Sequence, residues 1–274
     1  MDNLYEQISE TASYIRERSA GMIPSAAIIL GSGLGELIKE MDISHRIPYA
    51  DIPHFPRATV KGHRGELLLG ALGGKTVVVM AGRFHFYEGY SMREVTFPVR
   101  VMKALGAATL LISNAAGGMN PAFTVGSLMI VTDHINLQPE HPLRGENDER
   151  LGPRFPDLSE PYAKALVLKA QNIARKREIS VHTGIYVGVP GPSFETRAEY
   201  RYLHAIGADA VGMSTVPEVI VAVHAGMQVF AMSVITDLGI READNKISHE
   251  EVLAAAGEAA PRLTLIFREL VEQL

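Results

Sequence analysis

Two hydrophobic periodicities alternate along this chain. Apolar residues recurring every three or four positions predict helices over 3–19, over 92–105, from Ser159 to about Lys176, near 195–206, near 216–226 and from Ser248 to the end. Between them lie short apolar runs that read as buried strands: SAAIIL (25–30), ATLLISN (108–114), GSLMIVTDHI (126–135), HTGIYVGVPG (182–191) and VFAMSVITD (229–237). GELLLGALGGKTVVVMAG reads as a hairpin turning at Gly73-Gly74. After GSGLG the segment ELIKEM resumes a helical pattern, AAGG (115–118) reads as a small-residue turn, and 138–158 as a polar, Pro-rich loop. No repeat, low-complexity tract or shift in composition marks a boundary. The pattern predicts one α/β domain over 1–274, a mixed sheet flanked by helices.

One stretch breaks the apolar rule. The run KTVVV is followed by MAGRFHFYEGY (80–90), which ends a core strand on Arg83, His85, Tyr87 and Glu88. In an extended chain Arg83, His85 and Tyr87 face one way and Phe84 and Phe86 the other. One face is built for packing and the other for an anion.

Composition then removes whole classes of function. A net charge of −5 over 274 residues provides no cationic field for nucleic acid or an anionic membrane. There is no cysteine, hence no disulfide framework, thiolate metal site or cysteine nucleophile. The N-terminal segment is charged at helical spacing and lacks the apolar stretch of a secretory signal, and no run approaches the ~18 apolar residues of a membrane span. A soluble, cytoplasmic protein is expected.

Several familiar motifs almost match. GSGLGE has Glu36 where a dinucleotide fingerprint needs glycine. GALGGKT is one residue short of a phosphate-binding P-loop, and its Lys75-Thr76 opens a strand where a helix is required. Ser193 and Ser214 each lack one flanking glycine of a nucleophile elbow, and Ser32 lacks both. The ten histidines form no pattern that would hold zinc.

What remains is a set of small polar groups at strand ends. Ser32 sits in a Gly-rich turn between a strand and a helical segment, where free N–H groups and a helix dipole favour an oxyanion; the competing role is a simple helix cap. Asn114-Ala115-Ala116-Gly117-Gly118 is a second turn in which small side chains let backbone amides approach a ligand. Arg83 and His85 add a cation and a hydrogen-bond donor, although a surface salt bridge and a satisfied sheet histidine are the plainer readings. Ligands of open α/β sheets collect at strand ends, which favours one anion site.

The blocks GSGLG, GHRG, GRFHFYEGY, SNAAGG, GPSFET, GADAVGMSTVPEVIVA and HEEVLAA, from about Ile28 to Phe267, resemble the trimeric, low-molecular-mass purine nucleoside phosphorylases in order and in register. The resemblance implies a phosphorylase/hydrolase-like α/β fold with a partly barrel-like sheet. It implies reversible phosphorolysis of inosine, guanosine and their 2′-deoxy forms, with inorganic phosphate as substrate and neither metal nor organic cofactor. By position, Ser32, His63, Arg83, His85, Ala115 and Ser214 would hold phosphate. Tyr87, Met213 and His249 would surround the ribose, with Phe155 donated by a neighbouring subunit of a homotrimer. Phe194, Glu195 and Asp237 would meet the base, and His85, Glu195 and Asp237 would carry the catalytic roles. Plainer roles compete: core packing for Met213 and Phe155, a first-turn acid for Glu195, and a capping box of Ser248 with Glu251 beside His249.

One position departs from the family. Its best-known members have asparagine after VIT, and here VITDLG places Asp237 there. An ionised carboxylate only accepts hydrogen bonds, whereas a protonated one donates, and burial favours the protonated form. Asp237 is therefore a general acid at purine nitrogen seven, a residue that admits 6-amino purines, or a side chain turned away to cap the next turn. Asn245, eight positions on, is not expected to replace it. Glu195 suits a base with N–H at ring position one, hence 6-oxopurines. The alternatives are a methylthioadenosine-type phosphorylase, a noncatalytic purine- or phosphate-binding protein, and a serine hydrolase.

Overall fold

The structure, a computed structural model, describes residues 4–57, 65–239 and 248–274. The elements run α1 (Leu4–Arg18), β1 (Ala26–Ile29), β2 (Asp42–Pro48), β3 (Glu66–Leu72), β4 (Lys75–Ala81), α2 (Met92–Leu105), β5 (Thr109–Gly118), β6 (Leu128–Asn136), α3 (Lys164–Lys176), β7 (Val181–Gly188), α4 (Arg197–Ala205), β8 (Ala210–Gly212), α5 (Val216–His224), β9 (Gln228–Leu238) and α6 (His249–Glu272). Among the described residues the strands form one mixed sheet in the order β2-β3-β4-β1-β5-β8-β7-β6-β9, and β9 also pairs with β5. That last pairing closes β5, β8, β7, β6 and β9 into a ring, leaving β1, β4, β3 and β2 as an open wing. The predicted mixed, partly barrel-like sheet is what the chain adopts.

The strand sequences are apolar at successive positions because both faces are covered. In β1, Ala27 and Ile29 join a cluster with Ile8, Ile15, Phe97, Val101 and Val219, so α1, α2 and α5 cover that face. Ala26 and Ile28 join Leu166, Ile173, Leu263 and Phe267, so α3 and α6 cover the other. Helix α2 starts at the Ser91 cap, whose side chain accepts from Glu94 N, and ends at Gly106 with φ 118°, a conformation that glycine adopts without strain. The expected Ser248–Glu251 capping box opens α6 in the same way.

The structure corrects several expectations. The AAGG segment is not a turn: β5 continues through Gly118, because β9 pairs beside it to Leu238 with a bulge after Ala116. Gly117 and Gly118 serve close packing, since a Cβ on either would meet side chains of Tyr200, Asp237, Ile235 and Leu238. ELIKEM forms a six-residue 3-10 turn, Gly35–Glu40, rather than an α-helix. Helix α3 begins five residues after Ser159, because Pro161 disfavours helix at the residue before it and Tyr162 is drawn into the core, its hydroxyl 3.1 Å from His134 Nδ1. Arg83 to Tyr87 do not continue as a strand; β4 stops at Ala81, and Phe86–Glu88 form a 3-10 turn. Strands β2 and β8 were not predicted. The first is a largely polar edge strand held by β3, and the second is only three residues long.

Candidate active site

A cavity of about 530 Å³ opens where the ends of β1, β4, β5, β8 and β9 converge. From the first three come Gly31 and Ser32, then Arg83, His85, Tyr87 and Glu88, then Asn114 to Gly117. Gly212, Met213 and Ser214 follow β8, and Thr236 and Asp237 end β9. Phe194 and Glu195 precede α4, Tyr200 lies within it, and His249 opens α6. Eleven residues assigned from sequence thus face one space: Ser32, Arg83, His85, Tyr87, Ala115, Phe194, Glu195, Met213, Ser214, Asp237 and His249. Phe155 does not line it and is 87% exposed on the chain. His63 and Asn245 lie outside the described residues. Among the described residues no group of three His, Asp or Glu side chains is gathered as metal ligands.

Two hydrogen-bonded clusters divide the polar groups. In the first, Arg83 donates from Nη1 to Ser214 Oγ at 2.9 Å, while its Nε lies 3.2 Å from Glu218 Oε1. Arg83 is buried, so a surface salt bridge is not its role. Glu218 neutralises a guanidinium held out of water, and the Ser214 contact aims it toward the cavity. Ser214 is followed by Thr215, which immediately precedes α5 and adopts φ 72°. That conformation costs a β-branched residue energy, and the Asn114 amide helps to hold it by donating to Thr215 Oγ1 at 2.9 Å. Ser32 does not cap the 3-10 turn that follows, whose N-cap position is Leu34 and which is too short for a useful dipole. It lies in the cavity wall just beyond β1, beside Gly31, whose N–H donates to Ser113 Oγ.

His85 is fixed by Glu88, which accepts from the His85 backbone N–H at 2.8 Å and stands 2.9 Å from its Nδ1. Burial holds the imidazole below the usual histidine pKa, with the Glu88 contact opposing. Tyr87 stacks on the same ring, centroids 4.6 Å apart, and burial pushes its phenol pKa up to about 12. A Cβ at Gly191 would strike Met213 and Tyr87, so glycine there lets the two side chains line the wall together.

The second cluster joins Asp237, Tyr200 and Thr236. Tyr200 donates to Asp237 Oδ2 at 2.9 Å, and Thr236 Oγ1 donates to Oδ1 at 3.2 Å. The Glu195 carboxyl lines the same wall, its pKa raised first by burial and further by Asp237 and Glu199. The Tyr200 phenol is itself pushed up by burial and by these two carboxyls. Asp237 is buried in the cavity wall, not turned out to cap a turn. Sequence reasoning missed Tyr200 and Glu218. The Thr196–Glu199 capping box could have placed the start of α4, but which way Tyr200 points depends on the room left by Gly117 in β5 and by Gly239 just past β9.

The comparisons with known proteins agree with this geometry. Residues 25–272 match the family described as the phosphorylase superfamily. Purine nucleoside phosphorylase 1 of Bacillus subtilis is 48% identical over 268 residues, 98% of each chain. Isoform 2 of the Schistosoma mansoni purine nucleoside phosphorylase, solved with cytosine and ribose-1-phosphate, superposes with a TM-score of 0.93 at 45% identity, over 98% of this chain and 97% of that one. A Schistosoma mansoni purine nucleoside phosphorylase solved with adenosine gives 0.93 at 43% identity, with the same coverage. On sequence, fold and the composition of its cavity, this chain belongs to the purine nucleoside phosphorylases, pentosyltransferases of the phosphorylase superfamily.

Proposed function

We propose that the chain catalyses reversible phosphorolysis of inosine, guanosine and their 2′-deoxy forms to free base and (2-deoxy)ribose 1-phosphate, in purine salvage. The observation that carries this reading is the pair of clusters in one cavity, Arg83 with Ser214 and His85 for an oxyanion, and Glu195 with Asp237 for a base. Breaking the glycosidic bond makes the ribose cationic and pushes electrons into the purine. The site must therefore hold phosphate against the anomeric carbon and answer the charge on the base. Phosphate is itself the nucleophile and needs only placement, so no cofactor is assigned.

Arg83, Ser32, Ser214 and the backbone at Ala115 position that phosphate. With Glu88 accepting from Nδ1–H, a neutral His85 presents its Nε2 lone pair to a phosphate P–OH. Taking that proton raises the negative charge on the attacking oxygen, and Glu88 stabilises the resulting imidazolium. Tyr87, Met213 and His249 enclose the ribose, and Phe194 stacks on the base. An ionised Glu195 accepts N1–H of a 6-oxopurine, and Asp237 donates to the leaving base when it carries a proton.

A second reading has its own support. Tyr200 donating to Asp237 leaves that carboxyl an acceptor, which suits the amino group of adenosine. Asp237→Asn separates the two. On the 6-oxopurine reading the variant keeps inosine turnover within about tenfold, since an amide still donates there. Total loss would assign Asp237 as an obligatory general acid. Cleavage of methylthioadenosine in preference to inosine by the unaltered enzyme would reject the 6-oxopurine assignment.

A further inference from the structure

Ser214 opens a tight turn that the chain makes at a cost. Thr215, fully buried, takes φ 72° and ψ −56°, and the Val216 N–H donates back to the Ser214 carbonyl at 2.8 Å, closing a strained γ-turn on a β-branched residue. Beside it Asn114 is buried, and its Oδ1 has no hydrogen-bond partner among the described residues. Such costs collect where geometry serves function. The two residues meet at one hydrogen bond, Asn114 Nδ2 to Thr215 Oγ1 at 2.9 Å, and Thr215 Oγ1 lies 3.1 Å from Ser214 Oγ. A hydroxyl has one hydrogen to give. Thr215 cannot give it back to an amide N–H, and the acceptor that remains among the described residues is Ser214 Oγ. Ser214 Oγ then accepts twice, from Thr215 and from Arg83 Nη1 at 2.9 Å, while its backbone N–H is spent on the Tyr186 hydroxyl. The Ser214 hydrogen has one direction left, into the cavity that the residue lines.

We propose that Asn114 and Thr215 are positioning residues that fix Ser214 as a hydrogen-bond donor, so that this corner of the cavity takes an unprotonated phosphate oxygen. The inference rests on the phosphorolysis reading above and deepens it by assigning one oxygen of the phosphate. The hydroxyl is aimed before substrate arrives, and nothing need reorient as the anion enters. A donor that is itself donated to is polarised, which strengthens its hydrogen bond to an anion. The array also sorts the phosphate oxygens. A P–OH needs an acceptor, and Ser214 offers none, because Thr215 and Arg83 occupy both of its lone pairs. That oxygen is left to the lone pair of His85 Nε2. Asn114 and Thr215 thus set the orientation of phosphate as well as its place, with the P–OH toward His85 and an oxyanion toward Ser214.

Asn114→Asp keeps the size of the side chain and reverses the array. A carboxylate only accepts, so Thr215 donates to it, Ser214 donates to Thr215, and no hydroxyl hydrogen is left for phosphate. The KM for phosphate should rise while the KM for nucleoside holds. A new negative charge would by itself repel phosphate, and a double-mutant cycle removes that share. Thr215→Val keeps the shape and deletes the hydroxyl, so the reversal cannot reach Ser214. In that background Asn114→Asp should raise the KM for phosphate at least about tenfold less than it does beside Thr215, the worth of a hydrogen bond to a charged group. An equal rise in both backgrounds, or a rise in neither, overturns the proposal. Thr215→Ala, free of the branched side chain, is the background to use if the valine variant does not fold. Neutron diffraction from crystals of the unaltered enzyme with phosphate bound needs no variant. It should place the Thr215 deuteron toward Ser214 Oγ and the Ser214 deuteron toward a phosphate oxygen; a Ser214 deuteron directed at Thr215 Oγ1 would overturn the assignment. Failure to cleave any nucleoside would instead reject the phosphorolysis reading, leaving the deuteron positions to decide the array.

Discussion

A buried guanidinium needs a counter-charge, and Glu218 supplies it to Arg83 with both side chains 3% exposed. Removing only the acid leaves the cation stranded, so Glu218→Ala should cost about 3–5 kcal/mol in denaturant unfolding and raise the KM for phosphate as Arg83 loses its aim. Glu218→Gln, which keeps a hydrogen-bond acceptor, should recover part of both; a variant with unaltered stability and KM would show that Glu218 does not hold Arg83. His85 gives a pH signature. Burial lowers its folded-state pKa, so below about pH 6.5 the unfolded chain takes up a proton that the folded chain resists. Stability from this group is present above that pH and is lost as pH falls through the folded-state value. Unfolding midpoints should drop from pH 7.5 to pH 5.5, and His85→Gln should flatten that slope. His134 and His224, also held low by burial, should add to the same trend.

At the scale of elements, the site depends on where strands stop. The apolar runs of β1, β4, β5 and β9 were legible in the sequence because both faces of the sheet are covered, and so were the polar residues that end them. The continuation of β5 through AAGG was not, because pairing with β9, more than a hundred residues later, decides it. Tyr200 was hidden for the same reason: local pattern places it on a helix, while packing against Gly117 and Gly239 aims it at Asp237. Gly117→Ala should therefore damage base recognition and spare the anion cluster. Its expected result is a raised KM for nucleoside, an unchanged KM for phosphate and a loss of about 1–3 kcal/mol from overpacking. Equal damage to both KM values would place the fault in the sheet as a whole. The Thr196 cap of α4 stands next to Glu195, and Thr196→Ala should cost about 1 kcal/mol while weakening nucleoside binding alone.

Across the whole molecule the cavity is built from residues 31 to 252, so its geometry is a property of the closed ring of strands and of α6 together. Among the described residues no helix is long and apolar enough to cross a membrane. Phe155 stands out of this architecture, 87% exposed beneath the Arg154 guanidinium. We propose that it completes the site of a neighbouring copy in a homotrimer. Phe155→Ala should leave the trimer intact by light scattering and raise the KM for nucleoside, and full affinity in an intact trimer would overturn the assignment. The central claim is that phosphate placed by Arg83, Ser214 and His85 cleaves the glycosidic bond. The measurement that tests it most directly is release of hypoxanthine from inosine with and without added phosphate, scored for ribose 1-phosphate. The account predicts no release without phosphate and equal yields of base and sugar phosphate with it; release at the same rate in its absence would contradict the mechanism.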